Sequence, residues 1–254
     1  LVPGGMRVIF RALIRDGYID AVMTNGANMI HDLVESMGRT HYQGRVNVDD
    51  EKLYKDGYNR AYDIFIENDT FVDIESYMGN LIDDIPEEKR DGITFHEFLY
   101  ELGLRIEDDE SVLKAAADKN IPIFSPGFLD SMLGIPLWMY AKKKKLVFNP
   151  IKDFDLLADM VFDAKKSGAI ILGGGTPKHH TQYMHTLRDG LDAAIQLSSA
   201  RVEDGSLSGA PLRESITWGK LREGQLQEKT ATIFGEVTSL FPLIIAGALE
   251  KIKK

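Results

Sequence analysis

At 254 residues, with 44% apolar and 27% charged side chains, the chain is long enough for one large α/β domain with a substantial core. A formal charge of −9 sets most of its surface against a phosphate backbone, which excludes nonspecific nucleic-acid binding and favours cationic small molecules. No apolar run approaches the roughly 20 residues that span a bilayer, and the absence of cysteine removes disulfides, thiolate zinc sites and cysteine nucleophiles, so a cytoplasmic, non-membrane protein is expected.

The chain starts at Leu1-Val2-Pro3-Gly4-Gly5-Met6 with neither an initiator methionine nor a cleavable signal pattern, so an N-terminal part is expected to be missing. Three times an apolar run ends in small residues and leads into a helical pattern. Ile19 to Thr24 enters Asn25-Gly26-Ala27-Asn28 and then the amphipathic stretch Met29 to Met37. Ile121 to Phe124 enters Ser125-Pro126-Gly127, then Ser131 to Tyr140; Ala169 to Leu172 enters Gly173-Gly174-Gly175, then Pro177 to Leu187. Buried parallel strands have this pattern.

Between the first two units, residues 41–112 are rich in charge and aromatics, with helical patterns near Phe71 to Ile82 and Phe95 to Leu104, and read as an inserted, mostly helical layer. The basic run Lys142 to Lys145 fits a solvated helix end. Leu146 to Phe148 and Ala193 to Leu197 are further strand candidates, with Phe154 to Lys166 a helix, and Phe241 to Lys254 a closing helix that packs on the sheet or at a subunit contact. This alternation predicts a single domain over residues 1–254 with a Rossmann-like, doubly wound, mainly parallel sheet. Ligands of such sheets sit beyond the carboxyl ends of the strands, where the small-residue loops fall.

Gly173-Gly174-Gly175 lets backbone approach a phosphate or dinucleotide, or makes a tight turn; its spacing is not G-x-G-x-x-G. Lys178-His179-His180 and His185 follow. No metal is expected there, because adjacent histidines point about 100° apart on a helix and no carboxylate stands at ligand spacing. One histidine could orient a substrate or relay a proton, with the other structural. Asp204, Ser206 and Ser208 suit ribose hydroxyls or an ordinary turn. Neither a nucleophile elbow nor a Walker loop is present, which argues against serine hydrolases and NTPases.

Thr217-Trp218-Gly219-Lys220 is the reactive-lysine candidate. An amine needs desolvation or a base to become nucleophilic; Trp218 offers apolar cover and Glu214 a proton acceptor. The same residues also suit a lysine that merely lays its stem over an indole.

Taken in order and spacing, Ile170 to Gly175, Lys178-His179-His180, Asp204-Gly205-Ser206, Ser208-Gly209-Ala210, Glu214 and Trp218-Gly219-Lys220 resemble deoxyhypusine synthase. Weaker matches at Gly5-Met6-Arg7, Phe124-Ser125-Pro126 and Phe241-Pro242 extend the resemblance over nearly the whole chain. It implies an NAD-dependent homotetramer in which NAD oxidises a polyamine beside nitrogen and a lysine captures the butylamine fragment as an imine. By position, that lysine is Lys220, with Glu214 and Trp218 beside it and His179 at the amine. Asn25, Gly26, Ala27, His31, Asp130, Gly173, Gly174, Ser199, Ala200, Asp204, Ser208 and Glu236 match cofactor-side positions.

Three departures fall where the family binds the ammonium groups of spermidine. Leu207 replaces an aspartate, Ile135 an acidic residue and Gln196 a tyrosine. Losing a charge-assisted contact costs about 1.5 to 3 kcal/mol when desolvated. Asn25 to Asn28 with Ile30-His31-Asp32 likewise replaces a Thr-Ala-Gly-Gly run and two acids. The pattern resembles the deoxyhypusine-synthase-like branch, so the expected activity is aminobutyl transfer to a free diamine, giving a homospermidine-type product from spermidine or putrescine. The alternatives are transfer to a lysine of a translation factor, and a noncatalytic NAD- or polyamine-binding protein.

Overall fold

Parallel strands form where the apolar runs meet small residues. The computed structural model describes residues 1–224 and 229–252 and comprises two compact units, Leu1–Pro150 and Ile151–Lys254. In the first unit, α1 (Arg7–Arg15), β1 (Val22–Met23) and α2 (Gly26–Ser36) are followed by β2 (Tyr42–Gln43), α3 (Asp50–Lys55), β3 (Tyr58–Ala61) and β4 (Ile64–Glu67). Then come α4 (Asp69–Asp83), β5 (Asp91–Ile93), α5 (Phe95–Gly103), α6 (Val112–Asp118), β6 (Ile123–Phe124), α7 (Gly134–Ala141) and β7 (Val147–Phe148).

β1 pairs in parallel with β6, Val22 opposite Ile123, and β5 in parallel with β7. The inserted stretch carries its expected helices, and also an antiparallel sheet in the order β2-β4-β3. That sheet left no trace in the sequence. Its strands are short and largely solvent-facing, and the turn between β3 and β4 places Tyr62, not glycine, at a φ of 60°. The core gathers Ile30 and Leu33 of α2, Ile74 and Met78 of α4, Phe98 and Leu102 of α5 and Leu113 of α6.

A buried carboxylate ties three of these helices. Asp32 accepts from Arg7 Nε at 2.6 Å, Ser111 Oγ at 2.7 Å, and the amides of Val112 and Leu113 at 3.0 and 2.9 Å. It thereby neutralises Arg7 and supplies acceptors for the first turn of α6.

The second unit holds α8 (Asp153–Asp163), β8 (Gly168–Leu172), α9 (Gly175–Met184), β9 (Ala193–Ser198), β10 (Thr230–Phe234) and α10 (Val237–Ile252). Its sheet is wholly parallel, in the order β10-β9-β8, with Leu172 opposite Leu197 and Phe234 opposite Ser198. The closing helix begins at Val237, ahead of Pro242, because the Glu236 carboxylate accepts from the amides of Thr238 and Ser239 at 2.9 and 2.8 Å. Lys253 and Lys254, expected at its end, lie outside the described residues. Among the described residues no helix is long and apolar enough to cross a membrane.

Candidate active site

The carboxyl ends of three parallel strands converge on one edge of the second unit. Gly173 follows β8, Ser199 and Ala200 follow β9, and Glu236 stands two residues beyond β10. The register binds them: the Gly173 amide donates to Leu197 O at 2.7 Å and the Gly235 amide to Ser198 O at 3.1 Å. Gly174 is required by contact, since a Cβ there would stand 2.4 Å from Ser208 Cα. Asp204 and Ser208 are therefore carried on a loop that closes over the glycine turn. Beside it, a depression of about 460 Å³ is lined by Ala200, Arg201, Val202, Glu203, Asp204 and Phe234.

Lys220 is placed by apolar packing on either side. Leu212 and Leu221 are buried against Ile171, Leu191 and Ala194, so the short 3-10 helix Leu212–Trp218 lies on the sheet. Gly219 closes that helix at a φ of 66°, and the Lys220 amide returns to Ser215 O at 2.9 Å. Residues 220–222 then run along the start of β9. Lys220 O accepts from Leu191 N, Leu191 O accepts from Arg222 N, each at 3.1 Å, and Gly190 leaves the space a Cβ would take from Leu221 backbone.

This backbone delivers a lysine with only 9% of its surface exposed. Its Nζ lies 3.3 Å from Nδ1 of His179 and 5.3 Å from the centre of the Trp218 ring. Trp218 itself is exposed, as is Glu214. The His179 ring stacks on Tyr183 at 5.8 Å, and its pKa is lowered by burial and then by the Lys220 charge. His179 can thus accept a proton at neutral pH. Glu214 acts at longer range, through its field on Lys178.

A second lysine, Lys178, is more deeply buried, at 4% exposed. All three of its protons are engaged: Nζ donates to Gln196 Oε1 at 3.0 Å, Leu207 O at 2.9 Å and Ala210 O at 2.5 Å. Burial pulls its pKa down to about 8, Glu214 opposes the shift and Lys220 adds to it. Gln196 is equally committed, donating Nε2 to Gly173 O and Ser208 O at 3.1 and 3.0 Å. The Leu207 side chain, by contrast, is 46% exposed. The sequence named Lys178 only within a motif, because two of its acceptors are backbone carbonyls that no residue type announces.

The remaining histidines separate by face. His180 meets the Phe154 ring edge-on at 5.2 Å, bringing α9 against α8, and His185 Nδ1 contacts Thr181 O at 2.7 Å. His180 is thus a packing residue of α9, and His185 caps its end.

The other expected residues belong to the first unit and are gathered at its own strand ends. The Thr24 amide donates to Phe124 O at 2.9 Å, and a Cβ at Gly26 would stand 2.5 Å from Phe128 O and Ser131 Oγ. Asn25, Gly26 and Ala27 thus lie against the turn that carries the exposed Asp130; Asn25 also caps α2 by accepting from Asn28 N at 3.2 Å. His31 Nδ1 lies 2.8 Å from His41 Nε2, and His41 Nδ1 lies 2.9 Å from Glu35. Burial and the second ring lower the His31 pKa to about 4. His41 was not legible as its partner, since it lies beyond the end of α2, whereas Glu35 stands one turn along the same helix. Ile135 is 61% exposed on α7.

These features suit a dinucleotide. Gly174 leaves space a side chain would fill, the first turn of α9 has no side-chain cap, and the Asp204 carboxylate is exposed beside the depression. Glu236 is the exception, its oxygens being held by Thr238 and Ser239, which push its pKa down to about 2.

Comparison with known proteins agrees with the resemblance. The family model described as deoxyhypusine synthase matches residues 1–248. The chain is 44% identical over 252 residues to a Methanothermobacter thermautotrophicus protein named "Probable deoxyhypusine synthase", covering 99% of this chain and 80% of that one. A Methanopyrus kandleri protein of the same name is 40% identical, with the same coverage. Among solved structures, one from Entamoeba histolytica assigned as a deoxyhypusine synthase superposes with a TM-score of 0.66 at 18% identity. It covers 96% of this chain and 70% of that one and establishes the likeness of fold.

Proposed function

The chain belongs to the deoxyhypusine synthase family, and from that premise we propose that it moves an aminobutyl group from a polyamine to a free diamine through an imine on Lys220. Membership makes it a transferase that uses NAD. The observation that carries the lysine assignment is the contrast between two neighbours. Lys178 spends every proton on fixed acceptors, whereas Lys220 is buried with, among the described residues, a single hydrogen-bond partner for its Nζ, an imidazole able to take its proton.

Bound NAD supplies the hydride acceptor that turns a C–N single bond of the donor into an electrophilic C=N, and returns the hydride to the product. Gly173, Gly174, Ser199, Ala200, Asp204 and Ser208 of the second unit are proposed to hold it; Asn25, Gly26, Ala27, His31 and Asp130 are the proposed cofactor-side positions of the first unit, taken by itself. Neutral Lys220 adds to the C=N carbon; the original C–N bond breaks, and the departing amine takes the proton lost by Lys220 through His179. An acceptor amine then displaces Lys220 by the same exchange. Trp218 and Glu214 border the amine.

Leu207 and Ile135, apolar and exposed, favour a short diamine over a triamine held by carboxylates. The names of the relatives favour a second reading, transfer to a lysine of a translation factor. One incubation separates them: protein, NAD and spermidine, with either putrescine or the translation factor as acceptor, followed by mass spectrometry. A homospermidine-type product formed faster than protein adduct supports the first reading, and faster protein modification supports the second. NAD binding without any product would leave a noncatalytic binder. A cytoplasmic homotetramer is part of the proposal.

A further inference from the structure

Five hydrogen bonds meet at two side chains that the transfer chemistry does not use. Lys178 reaches from α9 to Gln196 on β9 and to the carbonyls of Leu207 and Ala210; Gln196 reaches on to the carbonyls of Gly173 and Ser208. Both side chains are almost wholly buried, at 4% and 1% exposed. Together they join a helix, a strand, the glycine turn and three carbonyls of one loop. Direct packing reinforces the closure, since Ser208 Cα occupies the space of the absent Gly174 Cβ.

The position of this junction in the chain matters as much as its strength. His179 directly follows Lys178. The loop held at Ala210 passes through Pro211 into the short helix Leu212–Trp218, which leads through Gly219 to Lys220. The two nitrogens that meet at 3.3 Å therefore sit on segments fastened by the same two side chains. We propose that Lys178 and Gln196 form a latch that positions His179 against Lys220, and that Gln196 serves the reaction through Lys178, not as a ligand of the substrate amine.

This inference rests on the transferase reading, but its decisive measurement needs no turnover. His179 reports its own distance from the Lys220 charge through its pKa, read by NMR titration and assigned with His179→Gln. Lys178→Met and Gln196→Met remove the latch from either side. Each is expected to raise the His179 pKa toward 6.5 and to lower kcat about tenfold, with KM for the amine changing by less than about threefold. The double variant is expected to be no worse than either single one, because one junction has been broken twice. Lys178→Arg, which keeps charge and several donors, is expected to give a smaller His179 shift than Lys178→Met and carries the comparison if the methionine variants do not fold.

A Gln196→Met variant that raises KM while leaving the His179 pKa in place would overturn the inference and make Gln196 an amine ligand. A folded Lys178→Met or Lys178→Arg variant that lowers Tm alone, with His179 and kcat unchanged, would reduce the pair to a structural strut. Wild-type protein that fails to transfer any amine, yet shows the His179 shift in the variants, would remove the transferase reading and keep the latch.

Discussion

Lys220 Nζ lies 3.3 Å from His179 Nδ1, within reach of a direct proton exchange. Such a contact needs one lone pair, so the two groups cannot both be fully protonated across it. Burial and the Lys220 charge both hold the His179 pKa below its ordinary value, leaving the imidazole as the acceptor at neutral pH. Lys220 supplies a buried amine at the other end of this contact.

Replacing Lys220 by arginine tests the covalent role. Arginine keeps the charge over Trp218 but offers no amine that can be deprotonated near neutrality. Lys220→Arg is expected to fold and bind NAD while losing transfer. Borohydride added during wild-type turnover should leave the aminoalkyl mass on a peptide containing Lys220; an adduct on another lysine would end the assignment.

The pH dependence follows from His179. Protonation removes the lone pair that takes the Lys220 proton, so kcat/KM should fall on the acid side with a midpoint below 6.5, the ordinary histidine value. In Lys220→Met the neighbouring cation is gone, the imidazolium is less disfavoured, and the His179 pKa should rise. A pKa unmoved by that substitution, read by NMR, would show that the two side chains do not interact in solution.

Gly174→Ala places a Cβ against backbone at Ser208, which cannot move aside as a side-chain tip could. The loop bearing Asp204 and Ser208 must shift, and NAD affinity measured by calorimetry is expected to fall about tenfold or more. Gly168→Ala is the control. Its Cβ would meet Ala193 at 3.6 Å, an ordinary contact, so affinity should be unchanged.

The legible parts of the fold were those written in contiguous residues. Ile170 to Gly175 announces β8 and its turn because the apolar run is unbroken and the turn takes glycine, although β8 is an edge strand of its sheet, with Ile171 buried and Ile170 exposed, and not the buried strand that the run predicts. Trp218-Gly219-Lys220 is legible for the same reason. β10 was not, because Thr230 and Thr232 interrupt the apolar residues of Thr230–Phe234, a strand that pairs along one side only and is mostly exposed. The role of Lys178 was hidden by sequence distance, its partners lying 18, 29 and 32 residues away. Gln196 could be marked as a departure from the family, but only the fold shows what its amide holds.

Stability of the first unit is expected to depend on Asp32. Asp32→Ala leaves Arg7 buried without one of the two carboxylates that stand 2.6 Å from it and strips acceptors from Ser111, Val112 and Leu113. Breaking a buried pair of this kind costs about 3 to 5 kcal/mol. The two tryptophans fall one in each unit, so in a Trp218→Phe background the fluorescence of Trp138 follows the first unit through a urea titration. A midpoint unchanged by Asp32→Ala, at constant slope, would mean that Asp108 alone satisfies Arg7.

Substrate choice should respond to Leu207 and Ile135. Both side chains are exposed, so an aspartate at either position keeps its hydration in the free protein and costs little stability. The Leu207 carbonyl, not its side chain, receives Lys178, so Leu207→Asp leaves that bond intact. The new carboxylates add charge-assisted contacts for a triamine, each worth about 1.5 to 3 kcal/mol when desolvated. A gain of 1.4 kcal/mol is about tenfold in preference, so the double variant should shift kcat/KM from putrescine toward spermidine by at least about that factor. Competition between the two amines, read by mass spectrometry of the products, measures the ratio directly. An unchanged ratio would mean that neither position borders the bound amine and that substrate choice lies elsewhere in the chain.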